Sequence, residues 1–395
     1  MAAPSESRSK DVSRSLIVLS TATFCSGANM RVTDPLLPQI AEAFAIPVGD
    51  AAIIATAFTV AYGISQVFYG LLGDRIGKYT VVTFAVLVSG LGTAAGAFAG
   101  DVPVLAALRL LSGCTAGAII PLGMAYVGDV VPFEQRQAVL AKFISGQIMG
   151  MLAGQALGGI LGEYFGWRGA LLCLGALFVL VFLMLAAERR SGRVVEVTTR
   201  AGTGVLRQYK ALLQSRRVRL ITGTAFVEGM LVWGGLTFVG AYLRQVYGLG
   251  FDTVGLLLAS FGLGGLMYVT TARQFLGKLG EGRMVRFGGA TLGLALLCIA
   301  AGPPIWMFVP LIIASGMGFY LMHNTLQTHA TQMAPQSRGL GVSFFASCFF
   351  LGQSLGIMIL GWVVDHVGFE PAFVSVGILV AALAAFLAWR LGRDR

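Results

Sequence analysis

Arg31 and Asp34 stand three positions apart near the end of an apolar run that begins at Leu16. On a helix that spacing puts both on one face, where they can pair. A carboxylate holds its proton more tightly when buried and yields it more readily beside an arginine. An arginine that moves toward and away from Asp34 would make a proton switch. A fixed structural ion pair is the other reading. Arg109 lies inside another apolar run, about 9 Å from its start at 1.5 Å per residue. A charge at that depth marks function by default, although so long a side chain near an end can also snorkel to the interface. Arg109 is a second candidate partner for Asp34. Glu228 is the other acid well within an apolar run, and it joins Asp34, Arg31 and Arg109 as a candidate for proton coupling.

His323 and Asn324, with Gln327 one turn on, share helical spacing. Together with Tyr62, Gln66, Gln147, Trp233, Tyr242 and Phe319 they could line a cavity, and the aromatics among them could equally face lipid. His323 and His329 are poorly spaced for a metal. The five cysteines sit singly in apolar runs and read as packing residues. No phosphate-binding loop, nucleophile motif or metal cluster appears. The expectation is therefore no enzyme, no cofactor and no metal.

These residues must be positioned by elements that live in lipid. The chain has 395 residues, 56% hydrophobic and only 12% charged. Soluble domains carry about a quarter charged residues, so this chain has too few charges to coat two or three of them. A spanning helix needs roughly 20 apolar residues. Twelve such runs are predicted, at about 15–39, 50–73, 79–99, 103–126, 138–162, 168–187, 219–243, 253–275, 284–301, 305–328, 338–363 and 370–389. The first is expected to be retained rather than cleaved as a signal. The ~10-residue alternation of an outer-membrane barrel is absent.

Lys and Arg set the expected orientation. With the amino terminus in the cytoplasm, Arg75, Lys78, Arg136, Lys142, Arg273, Lys278, Arg283, Arg286 and Arg338 lie inside. So do the arginines of the middle connection and the tail. The outer loops hold Arg168 and Arg244. This is the positive-inside pattern, and it accounts for the net charge of +10 without nucleic acid. Both termini are expected in the cytoplasm. The expected division is a first six-helix bundle (1–187), a basic linker (188–218) that can lie on anionic lipid, and a second bundle (219–395).

A shift of 202 residues aligns the two bundles in part. Arg136 meets Arg338, Phe143 meets Phe345, and Gly150, Gly154, Gly159 and Gly166 meet Gly352, Gly356, Gly361 and Gly368. Glu163 meets Asp365. Parallel repeats of this kind place the substrate site between halves that rock against each other.

Between the second and third runs stands Gly70-Leu-Leu-Gly73-Asp74-Arg75-Ile-Gly77-Lys78. Read by itself it is a tight turn whose glycines allow positive φ. Its Asp74 and Arg75 can pair across an inner gate or cap a helix end. The segment resembles the signature loop of the major facilitator superfamily, and the twelve runs extend the likeness over the whole chain. The resemblance implies a contact of Asp74 at the inner gate. The matching loop near Leu276-Gly-Lys278-Leu-Gly280 lacks the acid. Arg109-Leu-Leu-Ser-Gly113 resembles a motif of the proton-coupled antiporter branch. Gly150-Met-Leu-Ala-Gly154-Gln155-Ala-Leu-Gly158-Gly159 resembles a second one, with Gln155 where that motif has proline. A glycine packing face is the plainer account of the latter.

The expectation is an all-α membrane protein of twelve transmembrane helices in two pseudo-symmetric six-helix bundles, in a bacterial-type inner membrane. It is expected to export small amphipathic organic compounds against protons by alternating access. A metabolite or organic-anion carrier is the alternative, since Arg31 and Arg109 could neutralise an anion. The expected partners are a small-molecule substrate, protons and the lipid bilayer, with the monomer as the working unit and no nucleic acid.

Overall fold

The computed structural model describes residues 6–196, 198, 210, 212–334 and 338–393. Of the expected linker, 197, 199–209 and 211 lie outside these residues. Helix 1 runs Glu6–Arg31 and resumes as Leu37–Phe44. Pro35 has no N–H for the Arg31 carbonyl and Pro38 has none for Asp34. The chain therefore crosses 32–36 on short-range bonds: the Asp34 N–H donates to the Arg31 carbonyl at 3.2 Å, and that of Leu36 to Thr33 at 3.0 Å. The single run expected at 15–39 is thus a broken helix, and the two prolines are the cause.

Helix 2 is Val48–Ile76, helix 3 Lys78–Gly96 and helix 4 Val102–Val130. Helices 5 and 6 form one helical stretch, Phe133–Arg190, bent at Gly166. Its 58 residues would reach about 87 Å if straight, far beyond a ~30 Å hydrocarbon core. Helix 7 is Arg216–Tyr247, interrupted after Leu236. Helices 8 and 9 share Phe251–Ala300, bent at Gly280. Helix 10 is Phe308–Gln332, helix 11 Arg338–His366 and helix 12 Phe369–Arg393.

Among the described residues, ten helical stretches are long and apolar enough to cross a membrane. The one bent at Gly166 crosses twice. Helix 1 completes the twelve; Asn29 and Arg31 dilute its apolarity. The bends need glycine: Gly166 has φ 70° and Gly280 φ 71°, values that side chains resist.

Two cores form. One joins Leu19, Phe58, Tyr79, Phe143 and Phe178 of helices 1–6. The other joins Val218, Trp233, Leu292, Phe319 and Phe373 of helices 7–12. The second core also takes in Leu37, Ala41, Val48 and Ala51, at the end of the bundle away from the chain termini. Outside, Ile17, Phe84, Leu180, Leu294 and Ile378 expose their side chains. Such a surface fits hydrocarbon.

The internal repeat persists in three dimensions. A Cβ on Gly150 would strike the Phe24 carbonyl, and one on Gly154 the Ala28 carbonyl. A Cβ on Gly352 would strike Phe226, and one on Gly356 Met230. The same shift of 202 relates all four pairs. Helix 5 thus lies backbone to backbone on helix 1 as helix 11 lies on helix 7, an approach that small residues permit.

Candidate functional site

The close approach of helix 5 places the broken part of helix 1 at the centre of the molecule. There Asn29, Arg31 and Asp34 are all buried. Arg31 Nη1 lies 3.5 Å from Asp34 Oδ2, a long contact. Its guanidinium stacks instead on Trp233 of helix 7, 3.3 Å from the ring centroid. Arg31 and Trp233 are themselves related by the 202-residue shift, so equivalent positions of the two halves meet face to face. Gln155 of helix 5 lies beside Asp34 and is buried. Gly158, one turn on from Gly154, meets the Val32 carbonyl, while Gly159 faces the other half at Phe251 and Gly255.

Arg109 is 1% exposed, which removes the snorkelling alternative. It donates to both the side-chain and main-chain carbonyls of Asn29 and lies over Phe58, 4.3 Å from its ring centroid. Asn29 Nδ2 in turn donates to Thr93 at 2.9 Å and Ser89 at 3.3 Å. Helices 1, 3 and 4 are thus tied together. Sequence reasoning missed Asn29, though an asparagine inside an apolar run was the available signal.

In the second half Glu228 is fully buried, and its Oε2 is 2.9 Å from His323 Nδ1. The His323 ring stacks on Phe319, centroids 4.9 Å apart, and touches Phe349 at 4.7 Å. Phe319 also contacts Trp233 at 5.6 Å. A connected path therefore runs from Asp34 through Arg31, Trp233, Phe319 and His323 to Glu228. Buried polar atoms without a hydrogen-bond partner occur along this region: Thr33, Arg31 Nε, Trp233 Nε1, Thr237, Glu228 Oε1 and both amide atoms of Gln353. A polar ligand would find donors and acceptors there.

The other cavity candidates scatter. Tyr62 and Gln66 are buried, and Tyr62 meets Phe350 of helix 11 at 4.7 Å. Gln147 and Asn324 are half-buried and Gln327 is exposed. Tyr242 belongs to an aromatic cluster with Tyr247, Phe308, Phe369 and Phe373. A separate apolar cavity of about 580 Å³ opens between helices 2 and 4, at Ile64, Phe68, Leu72 and Leu110, away from the charged centre.

In the signature loop Gly77 has φ 106° and Gly73 packs on Leu122. Lys78 Nζ is 2.6 Å from Asp129 and 3.3 Å from Asp74. Asp74 thus pairs inside its own loop here. A Cβ on Gly70 would meet nothing within 4 Å, and Gly70 and Arg75 are exposed. Asp129, at the end of helix 4, was not anticipated.

Among the described residues, the contacts joining the halves run from mid-membrane to the end away from the termini. They include Thr59 Oγ1 to Ser354 Oγ at 2.8 Å, Tyr62 to Phe350, and the Arg31–Trp233 stack. No group of three His, Cys, Asp or Glu among them is placed to hold a metal.

A profile described as the Major Facilitator Superfamily matches residues 19–338 and 253–395. The chain is 24% identical over 385 residues to a chloramphenicol resistance protein of Streptomyces lividans, covering 94% of this chain and 95% of that one. It is 23% identical over 377 residues to the multi-drug resistance efflux pump PmrA of Streptococcus pneumoniae, covering 92% of each. Its fold is similar to that of the E. coli xylose transporter XylE, with a TM-score of 0.73 at 13% identity, over 96% of this chain and 98% of that one. A buried charged centre between two six-helix halves and a profile match along the chain lead to one statement: this protein belongs to the major facilitator superfamily and is a multi-pass membrane transporter of a small molecule, not an enzyme.

Proposed function

We propose that the protein exports small amphipathic organic compounds in exchange for protons, by alternating access. The observation that carries this is the position of Arg31, shared between Asp34 of its own half and Trp233 of the other. With Arg31 drawn onto Trp233, Asp34 is left weakly paired and able to hold a proton. A substrate that covers the Trp233 face returns Arg31 to Asp34 and expels the proton. Proton and substrate then exclude each other, which is what exchange requires. The aromatic wall of Trp233, Phe261 and Phe319 suits an apolar substrate face, and the unpartnered polar atoms nearby suit a polar edge. The resistance and efflux relatives support export as the direction. Glu228, with His323, is a second candidate proton site. The signature loop, Asp74 included, serves as the inner gate.

The same reading takes the divisions as 1–187, 188–218 and 219–395, the location as a bacterial inner membrane, and the working unit as a monomer. The charge placement supports cytoplasmic termini. A carrier of organic anions is the second reading; it rests on Arg109, whose hydrogen bonds go to the neutral groups of Asn29.

Proteoliposomes with an interior pH dye, given lipophilic cations, neutral amphipaths and organic anions, test both. Export predicts proton movement triggered by cations or neutral amphipaths, and its loss in Asp34→Asn with substrate binding kept. Anion transport without proton movement would replace the first reading with the second. Unchanged proton flux in Asp34→Asn would remove Asp34 from the mechanism.

A further inference from the structure

The end of the bundle away from the termini is closed by two carboxylates of one design, through three hydrogen bonds. Glu163, at the end of helix 5, accepts the Phe251 N–H in the first turn of helix 8 at 2.7 Å. Asp365, at the end of helix 11, accepts the N–H groups of Gly49 and Asp50 at the start of helix 2, at 2.8 and 3.1 Å. Each bond joins one half to the other. The 202-residue shift that maps Glu163 onto Asp365 also maps Gly49 onto Phe251, so acid and target repeat together. Four residues before each acid stands a glycine that admits the partner backbone. A Cβ on Gly159 would strike the Phe251 carbonyl, and a Cβ on Gly361 would meet Gly49.

The physics is that of a helix start. Its first N–H groups have no partner within the helix and carry partial positive charge. A carboxylate that receives them makes a charge-assisted bond. Ordinarily the acid comes from the same helix, as Asp101 does for Val104 in helix 4 at 2.8 Å, and such a cap travels with its helix. Helix 8 has an acid of its own, Asp252, which bonds its neighbour Thr253. Glu163 and Asp365 come instead from the opposite half, so their bonds must break whenever the halves part at that end.

We propose that Glu163 and Asp365 are the gate residues of that end. Each is a Gly-x-x-x-acid clasp on the helix start of the other half, and the two open together when the transporter turns to the far side. This rests on rocking of the halves and not on proton coupling or on any substrate. Asp365 receives two N–H groups and is half-buried, whereas Glu163 receives one and is exposed. The Asp365 clasp is therefore the stronger.

Spin labels on Glu42→Cys and Gln245→Cys read the opening. Both positions are exposed near that end, one on each half. The full chain is used with its five native cysteines replaced, and pulsed distance measurements are made without substrate. Glu163→Gln should raise the ratio of open to closed distances by a few-fold and Asp365→Asn by about tenfold. The double variant should approach the product of the two, and Asp252→Asn should leave the ratio alone. A double variant that is monodisperse and helical yet keeps the parent's distances would overturn the proposal. So would an Asp252→Asn shift as large as that of Glu163→Gln. Neither result depends on what the protein carries, so this test and the proton-flux test can fail separately.

Discussion

Asn29 presents two acceptors to Arg109, its side-chain carbonyl and its main-chain carbonyl. Helix 1 ends two residues later, so that main-chain carbonyl is among the last four, which a helix leaves without an internal partner. The break that frees Asp34 thereby also serves Arg109. Removing one partner of a buried charge costs roughly 3–5 kcal/mol. Asn29→Ala keeps the main-chain contact and should cost somewhat less, about 2–3 kcal/mol. Asn29→Asp should hold stability near the parent's, because a carboxylate can take over the guanidinium. Thermal unfolding in detergent checks this, and equal losses in the two variants would refute it. The charged members of this site were legible in the sequence because a charge inside an apolar run stands out. Asn29 and Gln353 were not singled out: a neutral amide inside an apolar run is a weak signal, since such amides occur widely, and burial is what raises it. The Glu228–His323 pair was half legible: each residue could be named, but helices 7 and 10 had to be packed before they met.

At the scale of elements, hydropathy located all twelve runs, since lipid demands long apolar segments whatever their packing. It did not locate the interruptions. Pro35 and Pro38 were visible, yet the break they cause is a backbone event that apolarity averages over. The signature loop shows the same limit. Its turn was legible from Gly77, but the Lys78 partner Asp129 arrives from helix 4, 51 residues on. In this structure Lys78 is closer to Asp129 than to Asp74, at 2.6 against 3.3 Å, and Asp129 is the less exposed of the two. Asp129→Asn should therefore lower turnover more than Asp74→Asn, with substrate affinity little changed in both, because the loop lies well away from the central site. Transport rates set beside equilibrium binding of the same compound decide it. A loss confined to affinity would show that the loop acts on the site rather than on the gate.

At the scale of the whole molecule, the two halves are one design used twice, and their contacts say which way the structure faces. Helix 2 meets helix 11 through Thr59 and Ser354, and through Tyr62 and Phe350. The second core reaches onto Leu37, Ala41 and Val48. The halves are thus shut from mid-membrane to the end away from the termini and part toward the termini, where Gly70 faces open space. On the proposed orientation this is the inward-facing state, and transport requires these contacts to be exchanged for contacts on the other side. The Thr59 and Ser354 oxygens are 2.8 Å apart, close enough for cysteines at both places to approach disulfide geometry. Thr59→Cys with Ser354→Cys, in a background without the five native cysteines, should transport when reduced. Oxidation should lower transport at least about tenfold, and a reductant should restore it, while a substrate offered from the terminus side still binds. Each single cysteine should respond to neither treatment. A fully cross-linked protein that transports at the reduced rate would mean that helices 2 and 11 stay together throughout the cycle, and the movement would then have to be sought within each half rather than between them.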